Sequence, residues 1–123
     1  MSRVPTEQMK KAMTEILTEN INVKSFGKNK EHKIYYAYDV NEDTHTFMYE
    51  HYGTPCLYVE DNHSLDEQFV YIYSGAWSCT DRDNMNGMLY MLDIDRVRVY
   101  KEHNNIYLKI DGNKTKLFKI LIE

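Results

Sequence analysis

From residue 31 to residue 95 the chain has only two basic residues, Lys33 and Arg82, against thirteen acids, a local charge of −11. A stretch so poor in Lys and Arg cannot neutralise phosphates, which excludes its middle as a nucleic-acid-binding surface. The shortage is regional. Residues 1–30 carry six Lys/Arg against three Glu, and residues 96–123 carry seven against three acids, for +3 and +4. The overall charge of −4 therefore hides an acidic middle between basic ends. Such segregation bears on partners and steering rather than on fold.

Cysteine is equally scarce, with Cys56 and Cys79 alone, so a disulfide scaffold is excluded. The opening "MSRVPTEQMKKAM" has no apolar leader, and a cytosolic chain with reduced thiols is expected. No apolar run is long enough to span a membrane. No linker, internal repeat or low-complexity segment interrupts the sequence.

What is abundant is aromatic. Of 123 residues, 13% are aromatic and 42% hydrophobic, which suffices for one core and argues against disorder. A single domain over residues 1–123 is expected. Eleven tyrosines point to half-buried strand faces, since Tyr couples a large apolar body to a hydroxyl that needs water or a partner.

The spacing of Met9, Ala12, Met13, Ile16 and Leu17 predicts an N-terminal helix, capped by Thr6, with Glu7 in its first turn and Asn20 at its stop. The period then changes to two. "INVKSF", "KIYYAYDV", "THTFMYEHYG", "CLYVE" and "QFVYIYSG" read as strands, and the short connections make them an antiparallel meander. In "YSGAWSCTDRDN", Thr80 is a candidate N-cap with Asp83 three residues on. Met85, Met88, Leu89 and Leu92 then form the apolar stripe of a short second helix near 81–92. "DRVRVYKE", "IYLKID" and "TKLFKILIE" predict a C-terminal three-stranded meander, with Asp111-Gly112 as a hairpin signal. The fold class is α+β: an N-terminal helix packed on a bent, mostly antiparallel sheet.

The usual signatures of chemistry are missing. The histidines, His32, His45, His51, His63 and His103, show no H-x₃-H spacing, and there is no C-x₂-C. His45 and His51 meet only if the chain bends between them. The loop around His63, with Glu60, Asp61, Asp66 and Glu67, lacks the alternation and central Gly of a calcium loop. No metal and no cofactor are expected. Cys56 or Cys79 could pair with His51, but no local signature supports a nucleophile, and there is neither a G-x-S-x-G elbow nor a phosphate loop. A non-enzymatic protein is expected.

The runs "HYGTPCLYV", "VYIYSGAWSCTDRDNMNGML" and "VRVYKEHNNIYLKID" resemble a group of small, uncharacterised proteins of tailed bacteriophages. That group shares a strand ending in Gly-Gly-Trp, followed by alternating Ser/Thr residues, that leads into a short helix. Here His51, Gly53 and Thr54 match its first segment, with Tyr52 inserted. Gly75 and Trp77 match the corner, Ala76 replaces its second Gly, and Ser78 and Thr80 keep the alternation. Arg82 and Asn86 stand at its basic residue and Asn, and Val99 and Tyr100 begin its hairpin. Cys79, Asp81 and Asp83 depart from it by replacing neutral or basic residues, which argues against phosphate binding at the corner. The resemblance covers roughly residues 46–110. It implies a phage origin, residence in the host bacterium's cytoplasm, and the binding of a host component, as an antagonist of host defence or of a host enzyme.

Two surfaces could serve that role. The first is acidic: Asp61, Asp66 and Glu67 in one loop, Asp81 and Asp83 at the corner, and Trp77 as an anchor if exposed. It would fit a host protein with a basic groove. The alternative is a single-stranded nucleic-acid surface, in which Arg96, Arg98, Lys101, Lys109, Lys114 and Lys116 lie among Tyr100, Tyr107 and Phe118. Monomer and homodimer are both open.

Overall fold

The computed structural model describes residues 7–73, 77–94, 97–103, 105–110 and 113–116, with the backbone alone at 106, 108, 110 and 113–116. The chain begins with helix α1, Glu7–Glu19. Met9, Ala12, Met13 and Ile16 are almost wholly buried along it. Leu17 is 48% exposed, because at 3.6 residues per turn it sits about a quarter turn from the centre of that stripe. Asn20 ends the helix with φ of 55°, the left-handed conformation that Asn tolerates. Thr6 lies outside the described residues.

Five antiparallel strands follow: β1 (Val23–Phe26), β2 (His32–Asp39), β3 (Thr44–His51), β4 (Thr54–Asn62) and β5 (Glu67–Ile72). They pair in sequence order as a meander, the arrangement expected from short connections. Alternation sends Ile34, Phe47, Tyr49, Leu57, Val59 and Ile72 to one buried face. One irregularity interrupts it. The register shifts between Tyr49 and Glu50, whose partners are Leu57 and Pro55. The bulge in β4 turns Cys56 inward beside Leu57, and both are fully buried.

Helix α2, Cys79–Met91, starts two residues before the expected position, because the cap is Ser78 rather than Thr80. The Ser78 side chain accepts from the Asp81 amide at 3.1 Å, and the Asp81 carboxylate accepts from the Ser78 amide at 3.3 Å. This is a complete capping box. Thr80 and Asp83 are displaced from that role because Asp81 has further partners beneath it. Met85, Met88 and Leu89 are buried and Leu92 is packed against the core, as their spacing requires. The helix packs on α1, on β4 and on the strand that follows. No described helix is long and apolar enough to cross a membrane.

Strands β6 (Val97–Glu102), β7 (Asn105–Ile110) and β8 (Asn113–Lys116) form a second antiparallel sheet in that order. The fold is thus α+β, as expected, and the C-terminal three-stranded meander forms a sheet of its own. What joins β6 to the body is Asn86 of α2. Its Nδ2 donates to the Val99 carbonyl at 2.9 Å, and its Oδ1 accepts from the Val99 amide at 2.8 Å. A side-chain amide here supplies the pairing that a neighbouring strand would supply. The Asp111-Gly112 turn and residues 117–123, with Lys119 and Phe118, lie outside the described residues.

Candidate functional site

The inner face of the five-stranded sheet carries a histidine cluster at each end. The first lies where β3 turns into β4. Tyr52 and Gly53 both take positive φ, 50° and 77°, as a two-residue hairpin turn of the primed type demands. Gly adopts this conformation freely, whereas a bulky Tyr does so at a cost. Tyr52 is 69% exposed and stacks on His51 with ring centres 4.9 Å apart.

The turn aligns His51 with His32 across the sheet. Their rings stack at 4.5 Å, and Phe26 covers the other side of His32 at 4.9 Å. Asp81 reaches down from the first turn of α2. Its Oδ1 accepts from His51 Nδ1 at 2.8 Å and from the Tyr49 hydroxyl at 3.3 Å. Tyr49 in turn accepts from Asn84 Nδ2 at 3.0 Å and meets His32 Nδ1 at 2.8 Å. With the Tyr49 proton on Asp81, His32 must donate from Nδ1, so the network fixes its neutral tautomer. Burial pushes the Tyr49 hydroxyl well above its ordinary value, so it stays protonated.

This cluster has the elements of an acid–base site, since a buried carboxylate orients a partly exposed imidazole. Among the described residues, neither cysteine joins it as a nucleophile. Cys56 is fully buried, its thiol donates to the Thr54 carbonyl at 3.5 Å, and burial pushes its pKa up to about 12. A thiol so disposed is inert. Both Asp81 oxygens, the Tyr49 hydroxyl and the Nδ1 atoms of His32 and His51 are engaged inside the protein, and the network holds α2 to the sheet.

Burial, with His51 nearby as a second cause, pushes the His32 pKa below its ordinary value. The neutral form is therefore preferred in the folded state. Its contribution is complete above the unfolded value of about 6.5 and is lost as pH falls through the lower folded value. Urea melts at pH 7.5 and pH 5 should show a loss of stability in the parent that His32→Gln, which cannot titrate, reduces. Equal losses in both proteins would place the responsible proton elsewhere.

The second cluster lies at the opposite end, where β2 turns into β3 and β4 into β5. Asp39, Thr44, Asn62 and Glu67 are register partners in one row across four strands. At about 4.8 Å per strand, the row is about 15 Å wide. Both turns are therefore neighbours, and the His63 amide donates to the Asp43 carbonyl at 3.0 Å between them. Asp39, Glu42, Asp66 and Glu67 are exposed there. The chain has no Lys or Arg from 34 to 81 to neutralise them. At the same end Val40 is 73% exposed, Leu65 65%, Tyr38 47% and Phe69 46%.

The residues expected to bind a partner thus separate. Asp66 and Glu67 are exposed, and Asp61 is half-buried beside them, bonded to His63 Nε2 at 3.1 Å. Asp81 is 5% exposed at the far end of the sheet and is turned inward to His51 and Tyr49. Asp83 is half-buried on α2, where its carboxylate takes a 3.9 Å contact from the Cys79 thiol. Trp77 is 8% exposed, and its Nε1 donates to the Tyr73 carbonyl at 2.8 Å. Arg82 donates to the Trp77 carbonyl at 2.6 Å and so braces the corner from outside. Asp81 and Trp77 leave the candidate surface because the corner consumes them. Val40, Leu65 and the acidic turn 39–43 join it. Their signal was the pairing register of the hairpins, which single residues do not carry.

On the second sheet, Arg98, Lys109 and Lys114 are register partners, as are Tyr100, Tyr107 and Lys116. The two rows share a face, and Tyr100 stacks on Tyr107 at 5.6 Å. Lys101 alternates onto the other face, with Val99, and is exposed. Arg96 lies outside the described residues.

No protein-family model matches the chain, and neither curated proteins nor solved structures give a match. The resemblance to the tailed-phage group therefore rests on the residues quoted for it.

Proposed function

We propose that this chain is a small, non-enzymatic binding protein of the tailed-phage kind. It engages a host protein with a basic groove, as an antagonist of host defence or of a host enzyme. The observation that carries this reading is the convergence of two acidic turns at one sheet end, with Val40 in the first turn and Leu65 in the second both exposed. Apolar side chains in the centre with charge at the rim are the anatomy of a protein interface. The carboxylates of these turns steer a cationic partner, and the apolar residues anchor it after contact.

The test begins with capture from a bacterial lysate in the presence of a chelator, followed by kinetics with the purified partner. Glu42→Lys, Asp66→Lys and Glu67→Lys together should slow association by about 10-fold or more, and added salt should slow the parent similarly. A partner that binds the triple variant at the parent's rate would sink the reading.

The shared face of Arg98, Lys109, Lys114, Lys116 and the stacked Tyr100–Tyr107 pair favours a second reading, the binding of single-stranded nucleic acid. Charge along the backbone and rings for base stacking are what such binding uses. Labelled single strands that bind with a steep salt dependence, and lose affinity on Lys109→Glu with Lys114→Glu, would select it.

A further inference from the structure

We propose that Asp43, His45 and His63 form a binding site for a first-row divalent transition metal. One donor atom from each lies within 4.8 Å of the others. Two imidazoles and one carboxylate are a ligand set suited to Zn²⁺, Fe²⁺ or Ni²⁺, with the remaining positions left to water.

Two segments supply the three residues, Asp43 and His45 at the start of β3 and His63 after β4, and they are held together before any ion arrives. Asp43 closes the β2–β3 turn, at φ of 51°. His45 pairs with Asp61 across β3 and β4. His63 follows β4, fastened by its backbone to Asp43 at 3.0 Å. The imidazoles are 4.5 Å apart and inclined by 38°.

Each ligand also has an outer partner on one atom and keeps a second donor atom. The Tyr36 hydroxyl meets His45 Nδ1 at 2.7 Å, Asp61 takes His63 Nε2 at 3.1 Å, and Tyr38 donates to Asp43 Oδ1 at 2.9 Å. Such partners orient metal ligands and raise their basicity, and a carboxylate behind an imidazole is the commonest arrangement. The His63 side chain is 52% exposed, so water and ions reach the site. The surrounding acids add an attractive field for cations.

The cluster of His32, His51 and Asp81 also brings its donors within 4.8 Å of one another. There, however, the Asp81 Oδ1 already serves both Tyr49 and His51, and Oδ2 serves the helix cap. A metal would have to break the capping box and the buried network at once.

The test is calorimetric titration of the purified full chain with Zn²⁺, alongside visible absorption with Co²⁺. One saturable site is expected, with thermal stabilisation by the bound ion. His63→Ala and His45→Ala should abolish it. Asp61→Asn and Tyr36→Phe should each weaken it by about 10-fold or more. His51→Ala should bind as the parent does. His63→Ala alters an exposed side chain, and circular dichroism will verify its fold. Absence of saturable binding in the parent, binding retained in both His63→Ala and His45→Ala, or loss in His51→Ala instead would overturn the proposal. Since no partner enters this experiment, its result is separate from that of the chelated capture assay.

Discussion

Asp81→Ala is expected to remove about 3–5 kcal/mol of folding stability, the sum of a lost helix cap at about 1 kcal/mol and of donors left without their acceptor at about 1–3 kcal/mol each. At this chain length the melting midpoint should fall by about 10–20 °C. The carboxylate works in two places. Oδ2 accepts from the Ser78 amide and closes the capping box of α2. Oδ1 accepts from His51 and from Tyr49, both of which belong to the sheet. Its loss leaves the Tyr49 hydroxyl without its acceptor in a fully buried position, and buried polar groups left unpaired are costly. Ser78→Ala isolates the helix cap and should cost about 1 kcal/mol. Glu67→Ala, at the exposed start of β5, should stay within about 0.5 kcal/mol of the parent. Denaturant melts of the three variants decide the matter. A loss for Asp81→Ala no larger than that for Ser78→Ala would mean that the contacts to β3 contribute nothing.

The double use of Asp81 also explains why the corner was only half legible. Alternation and apolar spacing read well, since they depend on neighbours in sequence. The stripe Met85, Met88 and Leu89 and the pairing order of β1 to β5 followed directly from them. Two caps competed within "SCTDRD", Ser78 with Asp81 and Thr80 with Asp83. Local preference does not separate them. The choice was made by Tyr49 and His51, some thirty residues earlier in the chain, which hold Asp81 and so fix the start of the helix.

The histidines carry the same lesson. His45 and His51 lie on one strand and one face, yet each meets a histidine from elsewhere in the sheet, His63 just after β4 and His32 on β2. Spacing rules for metal ligands look along the chain and miss pairs made across a register. Likewise the acidity of residues 31–95 was plain, but its gathering at one sheet end was not. That follows from which hairpin turns share an end. The same geometry puts Asp81 and Asp61 at opposite ends, although the sequence joins them in a single acidic segment.

Asn86 offers the sharpest separation between local and global stability. Asn86→Ala removes both hydrogen bonds to the Val99 backbone. Val99 is 1% exposed, so its amide and carbonyl have no water to turn to. An unmet buried group costs about 1–3 kcal/mol, and the pair should cost about 2–4 kcal/mol together. The effect should be uneven. Besides its own pairings, the second sheet packs on α2, and the bonds to Val99 fasten its first strand there. Without them β6 becomes an open edge, a state that proteins generally avoid. Amide exchange should therefore accelerate at Val99 and along Val97–Glu102 by about 30-fold or more, a factor that corresponds to about 2 kcal/mol. Amides of β2, β3 and β4 should keep most of their protection. Asn86→Asp should do no better than Ala, since it keeps the acceptor but loses the donor and brings a charge into a buried site. Uniform acceleration across both sheets would mean that they unfold as one unit. In that case the Asn86 clamp stabilises the whole domain and not the attachment of the last three strands.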